Sequence, residues 1–361
     1  MPHAELEAWL RLGLVPRLGP VAFRKLLSSF GNPEAALNAS TAALANVVGA
    51  DLATAIAAGP DTNLLAASLD WADEDNNRLM TLADNDYPVG LLETSDPPPL
   101  LYLKGQSALL QHKAIAIVGS RNATPQGVAN AEAFARELSD NGFGIVSGLA
   151  LGIDAAAHRG GLQGTGSSIA VVATGLDTVY PARNRSLAHE LAQQGLLVSE
   201  FALGTRPMAG NFPRRNRLIS GLSLGVLVVE AAIKSGSLIT ARYAIEQGRE
   251  VFAIPGSVHS PVSKGCHALI KQGAKLVETS ADILEEFGRT AGTVNTETTQ
   301  PPQSKHPELL HSIGFDPVDL DTICARSGLT AENASAMLLE LELEGTVVRI
   351  AGGRFQQVRQ P

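Results

Sequence analysis

The sequence predicts an α/β protein: a doubly wound, mostly parallel sheet, with a small helical domain before it and a compact helical module with a terminal hairpin after it. Three observations carry this. Short apolar runs alternate with helical stretches between about residues 107 and 288, the first 85 residues are patterned for short helices, and the tail spells three helices and a hairpin. The chain of 361 residues exceeds one ordinary small domain. Its 45% of hydrophobic residues suffices for a sizeable core. Aromatics are scarce at 4% and glycine is frequent at 35 residues, a balance suited to many tight strand-to-helix turns.

Residues 1–85 read as a small helical domain of SAM or helix-hairpin-helix type. In "LRLGLVPRLGPVAFRKLLSSFGNPEAAL", Gly19 and Pro20 separate two helical patterns, and Val21, Leu26 and Phe30 are spaced for one buried face. Helix pairs of this kind resemble units that grip DNA backbone, and Arg17, Arg24 and Lys25 are the basic residues here. A plain packing module fits the same pattern. Residues 86–106, nearly all of them in the Pro-rich stretch "DNDYPVGLLETSDPPPLLYLKG" (84–105), predict an extended connector.

Residues 107–288 carry the sheet. "AIAIVGS", "FGIVSG", "SIAVVATG", "LLVSEF", "LGVLVVEA" and "EVFAIPG" are apolar runs ending in small or polar residues, and stretches such as "PQGVANAEAFARELSDNG" and "SLITARYAIEQG" separate most of them as helices. Continuous apolar strands with crossover helices predict a parallel sheet covered on both faces, a Rossmann-like domain. Residues 289–305 are polar, Pro-containing and aperiodic, a flexible linker. In residues 306–361, "DPVDLDTICARSGL" and "TAENASAMLLELELEG" are helices and "TVVRIAGGRFQQV" a hairpin turning at Gly352 and Gly353, which together suggest a winged helix.

Several function classes are disfavoured. "MPHAELEAWLRLGLV" has no basic n-region, and no stretch of about 20 apolar residues exists to span a membrane. Cys266 and Cys324 are far apart without ligand spacing, against both disulfide and zinc chemistry. The expectation is a cytoplasmic protein with no metal and no cofactor. A net charge of -8 argues against indiscriminate polyanion binding. A local basic groove remains compatible with it, since screening acts beyond about 8 Å.

Ligands of open parallel sheets sit outside the carboxyl ends of the strands, so the residues delivered there are the candidates. The first strand delivers Gly119, Ser120 and Arg121. Thr124 then suits an N-cap and Pro125 a first helical position, placing open N–H groups beside a guanidinium, a phosphate-binding arrangement. The second delivers Ser147 and Gly148, with Asp154 one turn from His158; a capping Asp beside a packed His explains that pair without a metal. The third offers Tyr180. The fourth leads into "NFPRRNRLISGLS", with Phe212, Arg214, Arg215 and Arg217. The fifth is followed by Lys234, Ser235, Gly236 and Ser237, a second anion cradle.

No dinucleotide fingerprint is present, because "GSRNATPQG" lacks the G-x-G-x-x-G spacing. "GLSLG" matches a nucleophile elbow as letters, but that device needs a strand before the serine and a helix after it, and here the order is reversed. Asp177, Glu200 and Glu230 are explained as caps or turn residues, so no catalytic residue is assigned. What remains is an edge with several phosphate sites, lined by Arg121, Arg214, Arg215, Arg217 and Lys234, with Phe212 and Tyr180 offering faces for base stacking. Arginines that instead bridge carboxylates inside the fold or at a dimer contact are the competing reading.

"SGLALGIDAAAHRGGL", "ATGLDTVYPARNR", "SEFALGTRPMAGNFPRRNRLISGLS", "VVEAAIKSGSLITARYAIEQGREVFAIPG" and "HALIKQGA" resemble, in this order, the DNA-processing protein A (DprA/Smf) family. The resemblance implies a homodimer that binds single-stranded DNA, protects it and loads the recombinase RecA during natural transformation, without catalytic turnover. A single-strand binding protein is a further implied partner. The family's phosphate motif falls on Gly119, Ser120 and Arg121, and its groove residues on Phe212, Arg214, Arg217 and Lys234, with Ser147 and Gly148 nearby. "SKGCHALI" departs at His267, where many members carry Asn. An enzymatic alternative is a nucleotide N-glycoside hydrolase of a related fold, which needs a Glu shortly after a Gly-rich turn; "KSGSLITARYAIE" has Arg242 and Tyr243 there instead. The candidate recognition helix of the last module carries Glu332, Glu340, Glu342 and Glu344 and no Lys or Arg, so it is not expected to enter a major groove. Arg349, Arg354 and Arg359 leave room for backbone contacts there.

Overall fold

A computed structural model describes residues 3–288, 305–350 and 352–358. The N-terminal domain is a cluster of six helices: α1 (His3–Gly13), α2 (Pro20–Phe30), α3 (Pro33–Leu37), α4 (Thr41–Val48), α5 (Ala50–Ala58) and α6 (Thr62–Ala72). Asn32, Ser40 and Asp61 accept first-turn N–H groups and so start α3, α4 and α6. The buried face of α2 is Phe23 and Leu26, with Phe30 half-buried behind them. Val21 is 56% exposed, against expectation: Phe23 takes the inward position because Trp9 of α1 stacks on it, ring centroids 5.5 Å apart.

The segment expected as a connector instead extends the sheet. Strand β1 (Asn77–Thr81) follows α6, then the single turn α7 (Val89–Leu92) and strand β2 (Leu100–Gly105). β2 pairs antiparallel with β1, Leu79 facing Tyr102. Its apolar run "LLYL" is fully buried, the property that makes it a strand.

The Rossmann-like domain continues with β3 (Ala114–Val118), α8 (Pro125–Asp140), β4 (Gly144–Ser147), α9 (Ile153–Gln163), β5 (Ser168–Val171), α10 (Arg185–Gln194) and β6 (Leu196–Ser199). Then come α11 (Asn211–Gly221), β7 (Gly225–Val228), α12 (Ser237–Glu246), β8 (Glu250–Ala253), α13 (Lys264–Lys271), β9 (Lys275–Leu276) and α14 (Ser280–Glu286). All six expected strands are present. The nine-stranded sheet runs β1-β2-β6-β5-β4-β3-β7-β8-β9, parallel from β6 to β9, with β2 antiparallel to β6 through Tyr102 and Ser199. Strand order reverses between β3 and β7, where a doubly wound sheet opens its ligand crevice.

Both faces of the sheet are covered. Ile115 and Ile117 of β3 pack with Phe134 and Leu138 of α8 and Ala156 of α9. The alternate residues Ala114, Ala116 and Val118 pack on the other side with Leu218 and Ile219 of α11 and Ala241 of α12. Each of the larger side chains among them contributes roughly 1.5–3 kcal/mol on burial, and each alanine methyl less.

The last module comprises α15 (Pro307–Ile313), β10 (Val318–Asp319), α16 (Leu320–Ser327), α17 (Ala331–Leu343), β11 (Val347–Ile350) and β12 (Arg354–Gln357), the order of a winged helix. Its strands form a separate three-stranded sheet over a core of Leu309, Ile323, Leu338, Leu341 and Phe355. The expected linker falls outside the described residues but for Lys305.

Candidate nucleic-acid interface

The carboxyl ends of the parallel strands gather the starts of α8, α9, α11 and α12, and three residues remote in sequence meet there. Arg121, in the loop after β3, is exposed and holds its guanidinium 5.5 Å above the ring of Phe212, in the first turn of α11. The Phe212 ring lies 5.8 Å from that of Tyr180, which comes from the loop after β5 and is 45% exposed. One exposed cation, one exposed ring and one half-buried ring therefore form a single surface unit. Lys234 and Gly236, in the turn after the neighbouring β7, are also exposed.

The Arg121 loop is held from below. The Ser120 carbonyl accepts the Ile153 N–H at the start of α9 (3.2 Å), and Ser120 Oγ accepts the Asn122 N–H (3.2 Å). Gly152 has φ +76, and a Cβ there would run into the Ser120 and Arg121 carbonyl oxygens. Only glycine lets the two segments lie this close. Thr124 caps α8 by accepting the Gly127 N–H, with Pro125 in the first position, as expected.

The open anion site expected at that helix start is filled from inside the protein. Thr124 donates its N–H and its hydroxyl to the Glu230 carboxylate, at 2.9 and 2.6 Å. Burial pushes the Glu230 carboxyl above its usual range. A phosphate near this loop is left with Arg121 and the Ser120–Asn122 turn.

The arginine cluster also differs from a phosphate-lined groove. Arg217 is buried, its Nη2 2.6 Å from Glu200 Oε2 and its Nε 3.1 Å from Asp96 Oδ2. Arg214 reaches the same Glu200 oxygen at 2.9 Å and lies 5.2 Å over the Phe201 ring, with 45% of its side chain exposed. Arg215 is buried on another side of α11, donating from Nη1 to the carbonyls of Gly148 (2.7 Å) and Val171. Desolvation lowers its pKa to about 10. Helical geometry sets this division, because positions three apart share a face and adjacent positions do not. Of the three arginines only Arg214 keeps a surface; Arg215 and Arg217 clamp α11 to the sheet and to the segment before β2.

Ser147 and Gly148 are likewise interior. Ser147 Oγ donates to the Ile117 carbonyl (2.6 Å), and Gly148 makes room for Arg215, whose Nη2 would lie 2.6 Å from an added Cβ. Gly119 is pressed against Ile153 and the Glu230 carbonyl. In the second cradle Ser237 is buried and its Oγ lies 2.7 Å from that of Ser235, so the exposed part is Lys234 to Gly236.

His158 is a packed core residue. Ser168 Oγ donates to the Ile145 carbonyl, so it receives the His158 Nδ1–H at 2.7 Å, and Nε2 accepts the Leu149 N–H at 3.3 Å. This arrangement satisfies the neutral ring, and burial lowers its pKa to about 3. Asp177 holds the Gly204 N–H, the turn role expected of it. Glu200 is more than a turn residue: it is the shared anchor of Arg214 and Arg217. The signal was present in "SEF", a carboxylate directly after an apolar strand, opposite arginines spaced three apart. In the winged helix, Glu342 meets Arg349 at 3.6 Å and Glu344 meets Lys305 at 3.4 Å, leaving α17 an acidic helix. Arg359 lies outside the described residues.

Comparison with known proteins agrees with this architecture. The family described as DNA recombination-mediator protein A matches residues 78–288, a DprA-like N-terminal HHH domain matches 3–52, and a DprA winged helix domain matches 294–353. The chain is 44% identical to Protein Smf of Escherichia coli over 298 residues, 80% of each chain. It is 48% identical over 207 residues to DNA processing protein DprA of Streptococcus pneumoniae, covering 57% of this chain and 73% of that one. The crystal structure of the pneumococcal protein superposes with a TM-score of 0.69 at 36% identity, over 79% of this chain and 98% of that one. A structure from Helicobacter pylori, described for the single-stranded DNA binding mode of its DNA processing protein A, gives 0.54 at 34% identity, over 58% and 95%. With matches running through all three domains in order, the chain belongs to the DNA-processing protein A (DprA/Smf) family.

Proposed function

We propose that this protein binds single-stranded DNA along the carboxyl edge of its parallel sheet and hands the strand to the recombinase RecA during natural transformation, without chemical turnover. One observation carries the reading: Arg121 and Tyr180, from two separate loops, converge on Phe212 in the first turn of α11 to form one cation–aromatic surface. A guanidinium takes a phosphate and the rings take bases, a combination suited to a flexible single strand rather than a duplex. The Helicobacter pylori relative, described for binding single-stranded DNA, supports it. Lys234 extends the positive edge. The RecA hand-off rests on family membership. The homodimer, like the RecA hand-off, rests on family membership.

The test is fluorescence anisotropy with labelled oligo-dT across a salt series. Arg121→Ala should weaken binding regardless of sequence and flatten the log–log salt slope by about 0.7, the loss of one single-strand phosphate contact. Wild-type affinity and slope in that variant would overturn the placement. Release of free base from nucleoside monophosphates by the wild-type protein would overturn the absence of turnover.

A further inference from the structure

The N-terminal domain holds a second cationic surface. An open concavity of about 500 Å³ lies between α2 and α4 and reaches Ser95 of the segment before β2. Arg24 and Lys25 line it together with the hydroxyls of Ser28 and Ser29, the Asn46 carboxamide and the exposed Val21. Among the described residues, none of those lining it is a carboxylate. In a chain of net charge -8, two cations facing a polar hollow with no counter-ion in it form a local positive surface.

Its geometry ties it to the sheet edge. Arg24 Nη1 donates to the Ser95 carbonyl at 2.9 Å, which fixes the guanidinium and leaves other donors for a ligand. The next residue, Asp96, is the ion-pair partner of buried Arg217 on α11. Phe212 stands in the first turn of that same helix. The concavity and the Arg121–Phe212–Tyr180 surface are thus connected through one helix and one adjacent pair of connector residues.

We propose that this concavity is a second nucleic-acid subsite, taking backbone phosphates of the same single strand beyond the segment that stacks on Phe212 and Tyr180. The chemistry fits a phosphodiester: two cations for charge, hydroxyl and amide donors for the non-bridging oxygens, and no base-sized aromatic slot. The subsite rests on the single-stranded DNA reading and adds length to it. It gives the N-terminal helices a binding task in addition to packing.

The experiment measures anisotropy of two labelled oligo-dT probes, one of about 8 nucleotides and one several times longer, with full-length protein across a salt series. The variants are Arg24→Gln with Lys25→Gln together, Lys25→Glu alone, which leaves the Arg24–Ser95 bond intact, and Arg121→Ala. On the long probe the double variant should lose affinity at least several-fold and flatten the slope by about 1.4, two contacts at about 0.7 each. On the short probe it should match wild type, whereas Arg121→Ala should impair both. Lys25→Glu should reproduce the length-dependent loss. Wild-type behaviour of the double variant and of Lys25→Glu on the long probe, with Arg121→Ala still impaired, would overturn the subsite alone and leave the hollow to an acidic protein segment. Equal loss on both probes would overturn it as well. If Arg121→Ala bound normally, the underlying site would fail instead.

Discussion

Removing Arg217 separates an anchoring arginine from a DNA-contacting one. Its side chain is 4% exposed and that of Glu200 1%, and the two meet at 2.6 Å. In Arg217→Ala the Glu200 carboxylate stays buried with only Arg214, itself 45% exposed, for a partner, and Asp96 loses its hold on α11. Breaking one side of a buried pair costs about 3–5 kcal/mol, because the remaining charge is left without compensation. Arg214→Ala removes a partly solvated pair and should cost about 1 kcal/mol or less. Amide exchange read in α11, together with urea unfolding, should show the large loss for Arg217→Ala and the small one for Arg214→Ala. Adding Glu200→Gln to Arg217→Met should recover most of the deficit, since no buried charge is then stranded. If Arg217→Ala kept wild-type exchange and unfolding yet bound oligo-dT poorly, the clamp would be wrong and Arg217 would be a phosphate ligand after all.

Three further outcomes are expected. His158 is held neutral with a pKa of about 3 against 6.5 for the free side chain, so the unfolded chain takes the proton first. Its contribution is complete above pH 6.5 and is lost as pH falls from there towards 3, at up to about 1.4 kcal/mol per unit. His158→Gln should flatten the stability–pH curve in that window, and an unchanged curve would contradict the buried neutral ring. Gly152→Ala, with φ +76 and a Cβ directed at the Ser120 and Arg121 carbonyls, should displace the Arg121 loop and weaken oligo-dT binding more than it lowers stability; unaltered binding would show that the loop does not depend on this contact. Phe212→Ala should cost about 1–3 kcal/mol of oligonucleotide affinity with little change in salt slope, the pattern of lost stacking; a changed slope at constant salt-free affinity would assign Phe212 an electrostatic role through Arg121.

The six central strands were legible because a strand buried on both faces must be apolar throughout, as "AIAIV" and "GVLV" are. The N-cap at Thr124 and the hairpin at Gly352 and Gly353 follow from equally local chemistry. β1 and β2 were less legible: "NRLMT" alternates too briefly to separate from the helices before it, and the three prolines before "LLYL" read as a connector. Their pairing is set by the β6 edge, a tertiary fact. The site divides in the same way. That Arg121, Tyr180 and Phe212 are delivered to one sheet edge follows from strand order. Which arginine turns inward depends on a carboxylate 14 to 17 residues away in sequence and on an aspartate further off; "SEF" and the spacing of the arginines point to the carboxylate but not to the arginine it buries.

The concentration of guanidinium groups in "NFPRRNRLISGLS" therefore has a structural cause that serves the binding surface. A surface aromatic is useful for stacking only if its helix does not shift when a base presses on it. α11 starts in an irregular segment with no side-chain cap, and its first turn carries Phe212. Arg215 ties one side of the helix to the carbonyls that close β5 and follow β4, while Arg214 and Arg217 tie another side to Glu200 at the end of β6. Lysine would serve this purpose poorly, because an ammonium lacks the planar fork that spans two acceptors at fixed geometry. On the proposed function, the same reasoning accounts for few free cations at this edge in an acidic protein: rigidly placed Arg121 and two rings would bind through stacking, a contribution less sensitive to salt than a larger positive field.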